Sequence, residues 1–294
     1  RISFPQSVLI DGSNNLTVAG FTPVNIHLTS SINTFTVGAN TTVHLTGDSN
    51  VSITSLVING ASAVVNVNSD WTQATAGRSF GSITITNGTL SSRAYDNAFS
   101  GSSWTSTPGA GNGKLIVQVT GTLSVAAAGR INMDAKGYHG GIANRSQGGS
   151  PTGPGITAST ANGGGGGGSG PNQGGGGSYG TAGTAGGGAA GIVYGSSDFA
   201  TELYLGSGGG SGYFTPNGGF GAGAIRIIAT NMSLASGAQV TARGGNASSP
   251  NGGAGSGGTL VMTISGTFTN SGATISVAGG TSGPAGGSGR SQYP

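Results

Sequence analysis

The chain of 294 residues contains no cysteine, which excludes disulfide frameworks and thiolate metal sites at once. Charge is nearly as scarce. Seven Asp and Glu, ten Lys and Arg and three His leave 6% charged residues, against roughly 25% in an ordinary globular domain. Acid–base, nucleophilic and metal chemistry draw on carboxylates, imidazoles and thiols, so few candidates are on offer. The cations never cluster and are not interleaved with aromatics, so nothing reads as a nucleic-acid groove, and the net charge of +3 reflects scarce acids rather than a basic patch. No apolar run approaches the ~20 residues of a spanning helix, so no membrane span is expected.

What is present is equally skewed. Gly (64), Ser (39), Thr (33) and Asn (21) supply more than half of the chain. Hydrophobic residues, at 34%, come in short, evenly spaced clusters that fit a narrow core. Low charge, abundant Ser, Thr and Asn, and absent Cys point to an exported protein, secreted or at the cell surface. The start at Arg1, inside a strand-like stretch, reads as a processed chain or a fragment of a longer precursor.

Residues 1–112 form the first region. Apolar and polar residues alternate there in short pieces such as Leu16-Thr17-Val18, Val43-His44-Leu45 and Ile83-Thr84-Ile85, separated by Gly, Asn, Asp, Ser or Thr. Period two with a turn every eight to ten residues or so means short strands at regular corners. The pieces are shorter than sandwich strands and lack Asn-Gly hairpins between matched partners, so stacked solenoid rungs suit them better.

Residues 113–294 form the second region, built on an internal repeat. Three segments, starting at Gly113, Gly223 and Gly258, share one pattern. A five-residue alternating strand leads to a corner, a second short strand follows, then a third, then a Gly-rich exit. Leu115, Val117 and Val119, Ile225, Ile227 and Ala229, and Leu260, Met262 and Ile264 line one face. Units this small cannot bury a face alone and must stack.

Between the repeats Gly recurs at every third position: Gly174, Gly177, Gly180, Gly183 and Gly186; Gly206, Gly209 and Gly212; Gly252, Gly255 and Gly258. Three residues per turn is the period of the extended polyproline-II helix, and Gly on one edge lets backbones approach and hydrogen-bond. Collagen needs an unbroken, Pro-rich repeat, whereas the longest series here is short and Pro numbers only 10. These arms are expected to pack as polyglycine-II segments, the rival reading being flexible tethers.

The strand repeat ending in Gly-Gly, interleaved with triplet-phased Gly arms, resembles the glycine-rich β-solenoid surface and filament proteins of bacteria. The arms are similar to the polyglycine-II layers of phage tail-tip adhesins. The likeness covers residues 113–294 and rests on composition and periodicity. It implies fibrous, adhesive or scaffold roles and carries over no catalytic residue.

Candidate chemistry is thin. Asp198 and Glu202 are spaced to share one face of a helical turn, with Asp198 read as a cap and Glu202 as exposed. His27 and His44 sit mid-strand, and the alternation points both outward. No Gly-Gly arm carries the Asp of a calcium-binding nonapeptide, which leaves calcium only a stray acid with carbonyls. Tyr and Trp in the arms either cap the Gly layers or form a sugar or partner surface. No cofactor, metal or enzymatic activity is expected.

The expected fold is all-β, a parallel β-helix-like solenoid with polyglycine-II arms as an additional layer. The expected role is that of a structural subunit of an extracellular filament, with copies of itself as partners and surface glycans as a further candidate. The apolar start, with Ile2, Phe4, Val8, Leu9 and Ile10 as the interface, would add to a neighbour's open edge. The alternative is a glycan- or receptor-binding adhesin.

Overall fold

The computed structural model describes residues 7–10, 14–20, 23–68, 78–95, 97–100, 103–106, 113–141, 173–199, 202–212 and 217–294. Ile2, Phe4, Trp71 and Tyr213 lie outside these. No helix occurs among the described residues. The strands are β1 (Ser7–Ile10), β2 (Leu16–Ala19), β3 (Pro23–Leu28), β4 (Ile32–Val37), β5 (Thr42–Gly47), β6 (Ser52–Val67), β7 (Ser79–Ser91), β8 (Asn97–Ser100), β9 (Ser103–Ser106) and β10 (Lys114–Asn132). The remainder are β11 (Ala224–Leu234), β12 (Gln239–Thr241), β13 (Thr259–Ile264), β14 (Phe268–Asn270), β15 (Thr274–Ser276) and β16 (Arg290–Gln292).

Fourteen of these strands form one sheet, and all its pairings are parallel except that of β1 with β2. The sheet runs without interruption past residue 112, because β7 pairs with β10. Strands β8 and β9 make a separate antiparallel pair.

Parallel register stacks like side chains on like, and the core is a set of columns. One runs Leu16, Phe35, Leu56, Ile83, Leu123, Met232, Phe268. A second runs Val24, Val43, Val65, Leu90, Ile131, Val240, Ile275. In the C-terminal part Leu115, Ile225 and Leu260 stack in the same way, as do Val117, Ile227 and Met262, so the three sequence repeats lie directly on one another. Each buried aliphatic contributes about 1.5–3 kcal/mol, and a column places these contributions along the direction of hydrogen bonding.

The short strands expected from sequence are joined where the structure keeps pairing through a corner. β6 has 16 residues and β10 has 19. Their register shifts, between Ile58 and Val64 in one and between Val119 and Ala128 in the other, are bulges that bend a strand without ending it. Other corners use side chains. Buried Thr41 accepts the Gly20 N–H at 2.8 Å and donates within reach of the carbonyls of Gly20 and Ala39.

The Gly-rich segments hydrogen-bond differently. Along residues 253–258 the direction of the donors repeats every third residue. Gly253 and Ser256 donate to Gly210 and Ser207, Ala254 and Gly257 to Pro284 and Gly287, and Gly255 and Gly258 to Gly245 and Ala242. The carbonyls of Gly253 and Ser256 accept from Gly219 and Ala222, and that of Ala254 from Gly177. A sheet strand bonds to two neighbours in one plane; this segment bonds to several around its axis. At its glycines such approach leaves no room for a side chain: a Cβ on Gly255 would stand 2.0 Å from the Phe220 carbonyl oxygen, and one on Gly253 would stand 1.9 Å from that of Gly175.

Gly255→Ala is therefore expected to lower stability by at least about 1–3 kcal/mol through overpacking. Ala254→Gly, one residue away at a site that already holds a methyl, should cost about 1 kcal/mol or less. Denaturant unfolding of the two variants checks the order, and the reverse order would show that the segment is loosely packed.

Candidate functional site

The most exposed part of the core lies at the two ends of the stack. Val24 and Ile26 at the N-terminal end, and Ile264, Phe268, Ala273, Ile275 and Val277 at the C-terminal end, are only partly buried, while the residues stacked between them are buried. Among the described residues β3 pairs only with β5, and β14, β15 and β16 each pair on one side only. Thr274 donates its N–H to Ala238 O, so alternation along a parallel ladder directs the Ile275 N–H out of the free edge.

At the other end Val8, Leu9 and Ile10 lie on β1, in antiparallel register with Val18, Thr17 and Leu16. One edge of β1 is thus used within the chain. The triplet glycines are spread over several segments. Gly174 and Gly177 donate to Asn251 and Ala254, Gly180 donates to Ser288, and Gly206 and Gly209 donate to Ala222 and Gly219. A Cβ on Gly183 or Gly186 would stand 2.7 or 2.5 Å from a carbonyl oxygen of the same glycine-rich segment. A Cβ on Gly252 would meet Asn217 O at 2.7 Å, one on Gly258 would meet Gly223 O at 1.9 Å, and Gly212 is buried.

A polar column runs beside the second apolar one. Asn25, His44, Asn66 and Ser91 stack in register, and so do Asn132, Thr241 and Ser276. The Ser91 hydroxyl joins the two halves by donating to Asn132 O at 2.5 Å. Lys136 closes over this column. Its Nζ donates to Ser92 O at 2.6 Å, to Ser91 Oγ at 2.7 Å and reaches Asn66 Oδ1 at 3.5 Å. All three acceptors are neutral, and burial lowers the Lys136 pKa to about 8. Because Lys136 donates to Ser91, which itself donates to a carbonyl, the pair ties strands together; it does not present an activated nucleophile.

Next to Lys136, Asp134 accepts the Arg243 N–H at 2.7 Å and two guanidinium bonds at 3.0 and 2.9 Å. His44 lies on the face opposite buried Val43 and Leu45, as the alternation implies, but it is covered there: its Nδ1 is buried and without a hydrogen-bond partner. Burial, then the charges of Arg93 and Lys136, lowers its pKa. His27 is exposed and bonds Thr46 Oγ1 and Asp48 Oδ1, each at 2.9 Å. Sequence reasoning missed the polar column; its signal was the polar residue that follows each third-strand aliphatic, in Val43-His44, Val65-Asn66, Leu90-Ser91, Ile131-Asn132, Val240-Thr241 and Ile275-Ser276.

The tyrosines fill a seam between Gly segments and the sheet. Tyr179 is fully buried, its hydroxyl 2.7 Å from Thr259 Oγ1, with the Arg290 guanidinium 5.7 Å from its ring centre. Tyr194 and Tyr204 pack on it with ring centroids 5.1 and 6.2 Å away. The Tyr194 hydroxyl donates to Leu205 O and accepts from Ser207 Oγ. Asp198 and Glu202 are exposed, and the Asp198 N–H donates to Ser196 Oγ at 2.9 Å; the helical turn expected between them includes residues 200–201, outside the described residues. Among the described residues no group of three His, Asp or Glu is gathered to hold a metal ion, and no helix is long and apolar enough to cross a membrane.

Comparisons with protein-family models, with curated proteins and with solved structures found no match.

The titrating groups make stability depend on pH with a definite sign. Lys136 holds its proton to 10.5 when unfolded but only to about 8 when folded. The unfolded chain therefore binds more protons between these values, and stability rises with pH there. Burial raises the pKa of Tyr138, Tyr179 and Tyr194, so above pH 10 the unfolded chain loses protons that the folded chain keeps, and stability falls. The melting temperature is expected to peak between about pH 9 and 10. Lys136→Met should remove the rise and keep the fall, as read by thermal unfolding across pH 7–11.

Proposed function

We propose that the chain is a structural subunit of an extracellular or cell-surface filament: a β-solenoid whose Gly arms pack as a polyglycine-II layer and whose copies join head to tail by strand addition. The observation that carries this reading is that, among the described residues, the second core column stops unfinished at both ends. Val24 and Ile275 terminate the same column, so a second copy placed on the free edge of β15 continues it with matched spacing. The free edge of β3 would receive β15 of the neighbour. The outer edge of β1, carrying Val8, Leu9 and Ile10, would receive β14. A contact between unlike ends does not close and propagates into a polymer. The resemblance of residues 113–294 to glycine-rich bacterial surface proteins supports the same reading, as do the scarcity of charge and the absence of Cys.

Filaments of the native chain are expected by electron microscopy, with a spacing along the axis of about 4.8 Å. Ile275→Pro removes the outward N–H at the free edge while leaving the inward bond of Thr274 in place. It should give monomers by light scattering, with the unfolding midpoint little changed. A native chain that stays monomeric at high concentration, or an Ile275→Pro variant that still polymerises, would reject head-to-tail addition.

A further inference from the structure

The outer face of β10, β11, β13 and β16 is covered over part of its area. Leu203 and Leu205 pack on Ala224 and Val261, with Tyr95, Ile116, Tyr138 and Phe199 around them. Phe199 stands at the margin of this cover. Beside it opens a cavity of about 290 Å³ lined by Phe199, Arg226, Ile228, Val261, Thr263 and Gln292.

Register fixes the layout of the floor. Arg226, Val261 and Gln292 face one another across β11, β13 and β16, and Ile228 and Thr263 form the next row. Strands about 4.8 Å apart and alternate residues about 6.6 Å apart make a floor of roughly 10 by 7 Å. That is the footprint of one six-membered sugar ring.

The chemistry of the floor is mixed. Ile228 and Val261 offer an apolar surface for C–H groups, and Phe199 stands at the wall. Thr263 supplies a hydroxyl and Gln292 a carboxamide, each able to donate and accept. Arg226 donates from Nη2 to the Phe199 carbonyl, which holds the guanidinium at the wall and leaves its other N–H groups for a ligand. No carboxylate of the described residues forms an ion pair with Arg226. A guanidinium presents a planar fork that matches a carboxylate. A neutral sugar would leave that fork unanswered, and a bare phosphate would leave the apolar floor uncovered.

We propose that this cavity binds a carboxylated pyranose, a uronic-acid unit of an acidic polysaccharide, with its carboxylate on Arg226, its hydroxyls on Thr263 and Gln292 and its C–H face on Ile228 and Val261. The cavity belongs to a single chain, so the proposal stands apart from the filament reading.

The test is a titration of the full chain with trigalacturonic acid, followed by saturation-transfer NMR and calorimetry at low salt, beside the methyl ester of the same trisaccharide. The acid is expected to bind saturably and to weaken as salt is added, and the ester to bind at least roughly tenfold more weakly for loss of the charge-assisted pair. Arg226→Gln should lose roughly tenfold in affinity for the acid and nothing for the ester. Thr263→Trp fills the cavity without touching the bond between Arg226 and Phe199, and should abolish binding of both. Equal binding of acid and ester, unchanged binding by either variant, or no saturable binding of the acid at millimolar concentration would overturn the assignment.

Discussion

The structure depends on backbone amides reaching carbonyls of other segments at distances that side chains would prevent. In the sheet this is ordinary parallel pairing, and side chains stand clear above and below the plane. In the Gly segments the donors point around the axis, and at the glycines a Cβ would enter a neighbour. The composition follows from this constraint. Glycine carries the largest backbone entropy cost of any residue, so a layer of it holds only when each segment is held by several others at once. The segment at 252–258 meets that condition, with bonds to stretches on both sides of it in sequence.

Electrostatics has a small and local part. The exposed pair of His27 and Asp48 is of the kind that contributes from nothing to about 1 kcal/mol. The column of buried Asn66 and Ser91 and half-buried Asn132 is a different case. A buried polar side chain costs stability unless each group is satisfied, and Lys136 supplies donors where β6 and the end of β7 would otherwise leave acceptors unanswered. The charge is kept at that site at the expense of a lowered pKa, and in return the lysine links β6, β7 and the turn after β10.

Much of the sheet was legible in the sequence, since alternation and repetition are local. The repeats beginning at Gly113, Gly223 and Gly258 could be aligned by eye because stacking in register requires like residues at like positions. The corners were not legible: bulges at Ile58 and Val119 let β6 and β10 continue through positions that read as turns, and nothing local distinguishes a bend from an end. The antiparallel reversal of β1 onto β2 was equally hidden, because nothing in Val8-Leu9-Ile10 distinguishes an antiparallel strand from a parallel one. Lys136 escaped notice for another reason. Its partners lie 44 to 70 residues away, and only the register of the sheet brings Asn66 and Ser91 side by side. The cavity beside Phe199 arises the same way, from one residue of a covering segment and five on three strands.

The direction of the donors along the Gly segments advances through three neighbours and then returns. An arm that gains or loses a whole triplet keeps every amide aimed at its former partner, while a change of one or two residues turns all later amides toward the wrong chains. Meanwhile Met133 and Gly223, the points where the longest arm leaves and rejoins the sheet, are held to each other by a hydrogen bond whatever lies between them. Natural variation in this molecule should therefore be quantised: arms growing and shrinking in steps of three, above a ladder of strands whose lengths stay the same.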